Sequence, residues 1–140
     1  MSIMDICSST HGRIIIIEDD PDIRDILKFQ LEQGGHQVIE ASNGEEGIDL
    51  MKKGSNLLQV GIVITDIRMP KVNGIETIDY IRANAPSIPI MVVTGYPDME
   101  LAVSLLEKGV KDFLVKPVDK DTLLSKVSAV LSSKQDFSYV

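Results

Sequence analysis

Short apolar runs alternate along this chain with longer segments in which apolar residues return every three or four positions. RIIIIE, beginning at Arg13, is β-branched, bounded by charge and short, which predicts a buried strand rather than a helix. HQVIEA, QVGIVIT, IPIMVVT and DFLVK repeat that pattern. After the first run, Asp20 reads as an N-cap with Pro21 at the first helical position. From Ile23 the residues Ile26, Leu27 and Leu31 return at helical spacing, and Gly34-Gly35 supplies the stop. Further helices are predicted near Asn43 to Lys53, ended by Gly54; near Gly74 to Ala85, closed by Pro86; from about Pro97 to Lys108, ended by Gly109; and from about Asp119 to Leu131. Residues 1–12 read as a tail, 13–132 as one domain and 133–140 as a second tail.

Strict alternation of buried strands with amphipathic helices implies an α/β fold with a parallel sheet, right-handed crossovers and helices on both faces. Strand order is not readable from periodicity. The composition agrees: 44% of residues are hydrophobic and only 4% aromatic, so the core must be built from aliphatic side chains, as a sheet covered on both faces requires. A net charge of −7 repels phosphodiester backbones, and no Lys/Arg stripe offsets it, which argues against direct nucleic-acid binding. The lone Cys7, in a polar leader, fits a reducing cytoplasm. MSIMDICSST lacks the basic start of a signal peptide, and no apolar run approaches the roughly 20 residues that span a bilayer.

Polar residues stand where the apolar runs end: Glu18-Asp19, Asp66, Thr94 and Lys116. A parallel sheet gathers these positions at its carboxyl edge, where loops diverge and ligand sites form. Three acids brought together disfavour one another's ionisation unless a cation joins them. Mg²⁺ (or Mn²⁺) suits such a set, with Asp19 and Asp66 as direct ligands, Glu18 acting through water and the backbone carbonyl of Arg68 completing the shell. Asp66 is the candidate nucleophile toward phosphorus, since phosphoryl transfer asks mainly for positioning and charge neutralisation. Lys116 offers an ammonium and Thr94 a hydroxyl to the phosphoryl oxygens. Asp20 and Asp22 read as helix-capping acids, but capping does not account for Asp66, which precedes a turn.

EDDPDIR, TDIRMPKVNGIE, VVTGYPD and DFLVKP, in that order, resemble the receiver domain of two-component response regulators over about Arg13 to Leu131. The resemblance implies a doubly wound, five-stranded parallel sheet with helices on both faces, flavodoxin-like (βα)5. It implies Asp66 as phosphoacceptor, Glu18 and Asp19 as the acidic metal pair, Thr94 as switch hydroxyl and Lys116 as the phosphate-sensing lysine. A histidine kinase or histidine phosphotransfer protein would donate the phosphoryl group, and acetyl phosphate would substitute. Phosphorylation would then shift the face built from the fourth helix, fifth strand and fifth helix, with Phe113 either rotating inward or serving as plain core. A phosphorylation-dependent homodimer is compatible with this. Met69-Pro70 and Gly74 would shape the loop after Asp66, and the Lys116-Pro117 bond is expected to be cis. Departures are Glu18 where Asp is common, Phe113 where Tyr is frequent and Val118 where Phe is frequent.

Such a chain is a signalling switch rather than a turnover enzyme, catalysing only its own phosphorylation and slow hydrolysis. A phosphohydrolase with an aspartyl nucleophile needs a second acid two residues on, where Arg68 stands. A flavodoxin-like cofactor binder needs a Ser/Thr/Gly-rich first loop, which EDDPD is not. A docking or dimerisation module with an unused acceptor is the other alternative. His11 and His36 are isolated and take no role, and Leu101, Leu105 and Leu106 read as core.

Overall fold

The computed structural model describes residues 13–53, 60–67, 74–95 and 98–137, with side chains described as far as Ser132. Among the described residues strands and helices alternate: β1 Arg13–Ile17, α1 Pro21–Gln33, β2 Gln37–Ala41, α2 Gly44–Lys52, β3 Val60–Thr65, α3 Gly74–Asn84, β4 Ile90–Thr94, α4 Met99–Glu107, β5 Asp112–Val115 and α5 Lys120–Phe137. All five strands lie parallel in one sheet of order β2-β1-β3-β4-β5. This is the doubly wound, flavodoxin-like (βα)5 architecture.

Alternating side chains of each strand feed two separate cores, as the two-residue period of a strand dictates. Ile14, Ile16, Ile62, Ile64, Met91 and Val93 meet Leu27 and Leu31 of α1 and Leu123, Val127 and Leu131 of α5. Ile15, Ile17, Val63, Ile90 and Val92 meet Met51 of α2, Ile78 and Ile81 of α3 and Leu105 of α4. Each fully buried aliphatic side chain contributes about 1.5 to 3 kcal/mol of transfer free energy, so these two layers hold the frame on which the strand ends are mounted.

Local signals set the helix boundaries. Asp20 Oδ1 accepts from the Asp22 and Ile23 amides at 2.9 and 3.4 Å, and Pro21 opens α1. Asn43, Asp98 and Asp119 cap α2, α4 and α5 in the same way, accepting from Glu46, Leu101 and Thr122 amides at 2.9, 3.2 and 3.1 Å. Gly35 and Gly109 follow α1 and α4 at φ of 88° and 98°, a left-handed conformation that glycine adopts without steric cost. Two expectations need correction. The last helix does not stop near Leu131 but continues to Phe137, into residues read as a tail, because nothing between Ser132 and Phe137 is a glycine or proline. Leu106, expected to face the core, is 50% exposed, and Ile26, one of the apolar residues at helical spacing in α1, is 56% exposed. No helix among the described residues is long and apolar enough to cross a membrane.

Candidate functional site

The strand order reverses direction between β1 and β3, and a crevice opens beyond the carboxyl ends of two strands at such a point. Ile17 of β1 and Thr65 of β3 are register partners, so the next residues, Glu18 and Asp66, emerge side by side. Backbone bonds fix both: the Asp66 amide donates to Ile17 O at 3.1 Å and the Glu18 amide to Ala41 O at 3.0 Å. Carboxylate oxygens of Glu18, Asp19 and Asp66 all lie within 4.8 Å of one another. Glu18 and Asp66 are 2% and 6% exposed, whereas Asp19 lies open to solvent at the mouth.

Lys116 closes the cluster from the sheet edge. Its amide donates to Thr94 O at 2.8 Å, which seats it at the end of β5 beside the end of β4. From there its ammonium donates to Asp66 Oδ2 at 2.7 Å and to Glu18 Oε1. Neighbouring strands stand about 4.8 Å apart, so this side chain crosses the whole width of β4 to reach acids on β3 and β1. The other Asp66 oxygen, Oδ1, accepts from the Ile67 amide at 2.6 Å, and Glu18 Oε2 accepts from the Asp20 amide at 3.2 Å. Burial pushes the Glu18 carboxyl above its ordinary range, against the opposing pull of Lys116 and the Asp20 amide. Burial also pulls on the Lys116 ammonium, but its bonds to Asp66 and Glu18 prevail and hold it above the usual lysine value. Among the described residues one ammonium serves two buried carboxylates, and a third acid stands beside them.

That donor set fits a divalent cation. Mg²⁺ takes hard oxygen ligands at about 2.0 to 2.1 Å, so opposite oxygens of its shell stand about 4.2 Å apart, close to the spread seen here. Residues Glu18, Asp19 and Asp66 would hold it.

Among the other predicted residues, Thr94 is fully buried at the end of β4. Phe113 is partly buried and packs against the core shared by α2, α3 and α4. Lys116-Pro117 is cis, as expected. Gly74 donates its amide to Ile67 O at 2.8 Å, and a Cβ there would come within 2.2 Å of Asp66 O and 2.4 Å of Ile67 Cα, so only glycine lets α3 start against the backbone of Asp66 and Ile67. Arg68 and Pro70 lie outside the described residues. Arg24, given no role by its sequence position, donates from Nη1 to Glu18 O at 2.8 Å. Met99, Val103 and Leu106 form an exposed apolar stripe along α4, with Val115 exposed on the neighbouring β5.

A doubly wound parallel sheet with acids gathered at its β1/β3 switch point, and a lysine reaching them from the end of β5, defines a class of α/β domains whose site lies at the carboxyl edge of the strands. The family model for the response regulator receiver domain matches residues 14–128, and the chain belongs to that family, the receivers of two-component signal transduction. Protein PilH of Pseudomonas aeruginosa is 35% identical over 123 residues, which cover 86% of this chain and 98% of PilH. The transcriptional regulatory protein FixJ of Bradyrhizobium diazoefficiens is 33% identical over 88% of this chain, and the cyclic di-GMP phosphodiesterase of Thermotoga maritima is 34% identical over 86% of it. The chain spans only 58% and 31% of those two longer proteins. A response regulator receiver domain protein from Clostridium thermocellum superposes with a TM-score of 0.82 at 28% identity, over 90% of this chain and 98% of that one.

Proposed function

We propose that this chain accepts a phosphoryl group on Asp66 from a histidine kinase or histidine phosphotransfer protein, in a Mg²⁺-dependent step, and displays the result on the face formed by α4, β5 and α5. The observation that carries this reading is the pocket itself: three carboxylates within 4.8 Å and one lysine bonded to two of them. Asp66 supplies the attacking oxygen, a new P–O bond forms there, and the bond from phosphorus to the donor breaks, with the electron pair leaving on the donor atom. A bound divalent ion would draw charge from the phosphoryl oxygens. The Ile67 amide holds Asp66 in place, and Lys116 is already bonded to the carboxylate that receives the charge. Thr94, at the adjoining strand end, is the hydroxyl assigned to the phosphoryl oxygens.

Support for the output face comes from α4, where Met99, Val103 and Leu106 are 79%, 47% and 50% exposed at helical spacing. With acetyl phosphate and Mg²⁺, intact-mass analysis should show one added phosphoryl group on the native protein and none on Asp66→Asn. Equal addition to both would place the acceptor elsewhere. No addition to the native protein, with either acetyl phosphate or a phosphorylated kinase, would favour the docking-module reading.

A further inference from the structure

Resting on the metal reading of the pocket, we propose that Arg24 is a positioning residue: its guanidinium fixes the peptide plane between Glu18 and Asp19 and so aims the Asp19 carboxylate at the ion shared with Asp66. Arg24 sits in the opening turn of α1, where its amide bonds Asp20 O at 2.9 Å. Its side chain folds back over that turn. Nη1 donates to Glu18 O at 2.8 Å, while Nε stands 3.8 Å from Glu40 Oε1 on β2. Glu40 is held in turn by Lys28, 3.4 Å away. Glu18 O belongs to the planar peptide that ends at the Asp19 amide and Cα, so anchoring the oxygen anchors the departure point of the Asp19 side chain. On the near side, the Glu18 amide is already tied to Ala41 O at 3.0 Å. The clamp therefore spans from β2 to the carbonyl that opens the acidic loop.

Asp19 is the acid that needs such help. Packing and Lys116 fix the carboxylates of Glu18 and Asp66, but Asp19 is exposed, so its aim depends on the backbone beneath it. Charge alone predicts the opposite sign. A guanidinium this near the pocket repels a cation, and removing it should tighten metal binding unless its geometric role dominates.

The sign is measurable on the full chain with Mn²⁺ as probe, following free Mn²⁺ by electron paramagnetic resonance. Arg24→Met keeps the packed stem and removes the donor. It should weaken Mn²⁺ binding about tenfold, the low end for a group that orients a ligand. Arg24→Lys should recover most of that loss, and the Asp19 amide resonance should shift in the metal-free Met variant. In an Asp19→Asn background Arg24→Met should cost nothing further. Unchanged or tighter binding in Arg24→Met, or an equal loss in the Asp19→Asn background, would overturn the role of Arg24. Native binding insensitive to Asp19→Asn would instead overturn the metal reading itself.

Discussion

Lys116 and the acids it joins carry the sharpest consequences at the scale of single residues. Its side chain is 15% exposed and bonded to two carboxylates that are themselves buried. Removing one partner of a buried ionic group typically costs about 3 to 5 kcal/mol because the other charges are left behind. Lys116→Ala should therefore lower the melting temperature of the metal-free protein sharply. Mg²⁺ should restore more stability to it than to the native chain, since the ion takes over the abandoned charge. Equal Mg²⁺ responses in thermal melts with and without chelator would refute this. Gly74→Ala forces a Cβ against Asp66 O and Ile67 Cα, neither of which can swing aside, and should cost about 1 to 3 kcal/mol by denaturant unfolding while slowing phosphoryl acceptance. The acids and the lysine were legible because each interrupts an apolar run where a strand stops. Arg24 was not, since it acts through a backbone carbonyl, and no spacing of side chains records that.

Helix faces mark where pattern reading stopped short. The spacing of Leu101, Leu105 and Leu106 marks a helix, yet neighbours in sequence point about 100° apart, so only part of the set can face the sheet. Leu105 is completely buried while Leu106 is half exposed. Leu105→Ala should thus cost about 2 to 5 kcal/mol, and Leu106→Ala should stay within about 0.5 kcal/mol, measured by urea unfolding. Comparable losses at both positions would contradict the exposed stripe on α4. Which strands become neighbours was likewise hidden, because the two-residue period defines faces and says nothing of order. The parallel pairing of β1 with β3 explains why Glu18 and Asp66, 48 residues apart in the chain, share one site.

Across the whole molecule, the net charge of −7 adds a diffuse attraction for cations to the local pull of the pocket. Salt screens the diffuse part over about 10 Å at 0.1 M and leaves most of the short-range part. Mn²⁺ affinity should accordingly fall several-fold between about 0.01 and 0.15 M KCl and then level off. Affinity insensitive to salt would mean that the three acids act alone. The same field disfavours contact with nucleic-acid backbones.

The reach of Lys116 across β4 has a mechanical side. Among the described residues β5 pairs with β4 alone, so, like β2 at the opposite edge, it is a rim strand braced on one side. A rim strand roped at its end to a carboxylate in the middle of the sheet will feel every gain or loss of charge there as a change in tension.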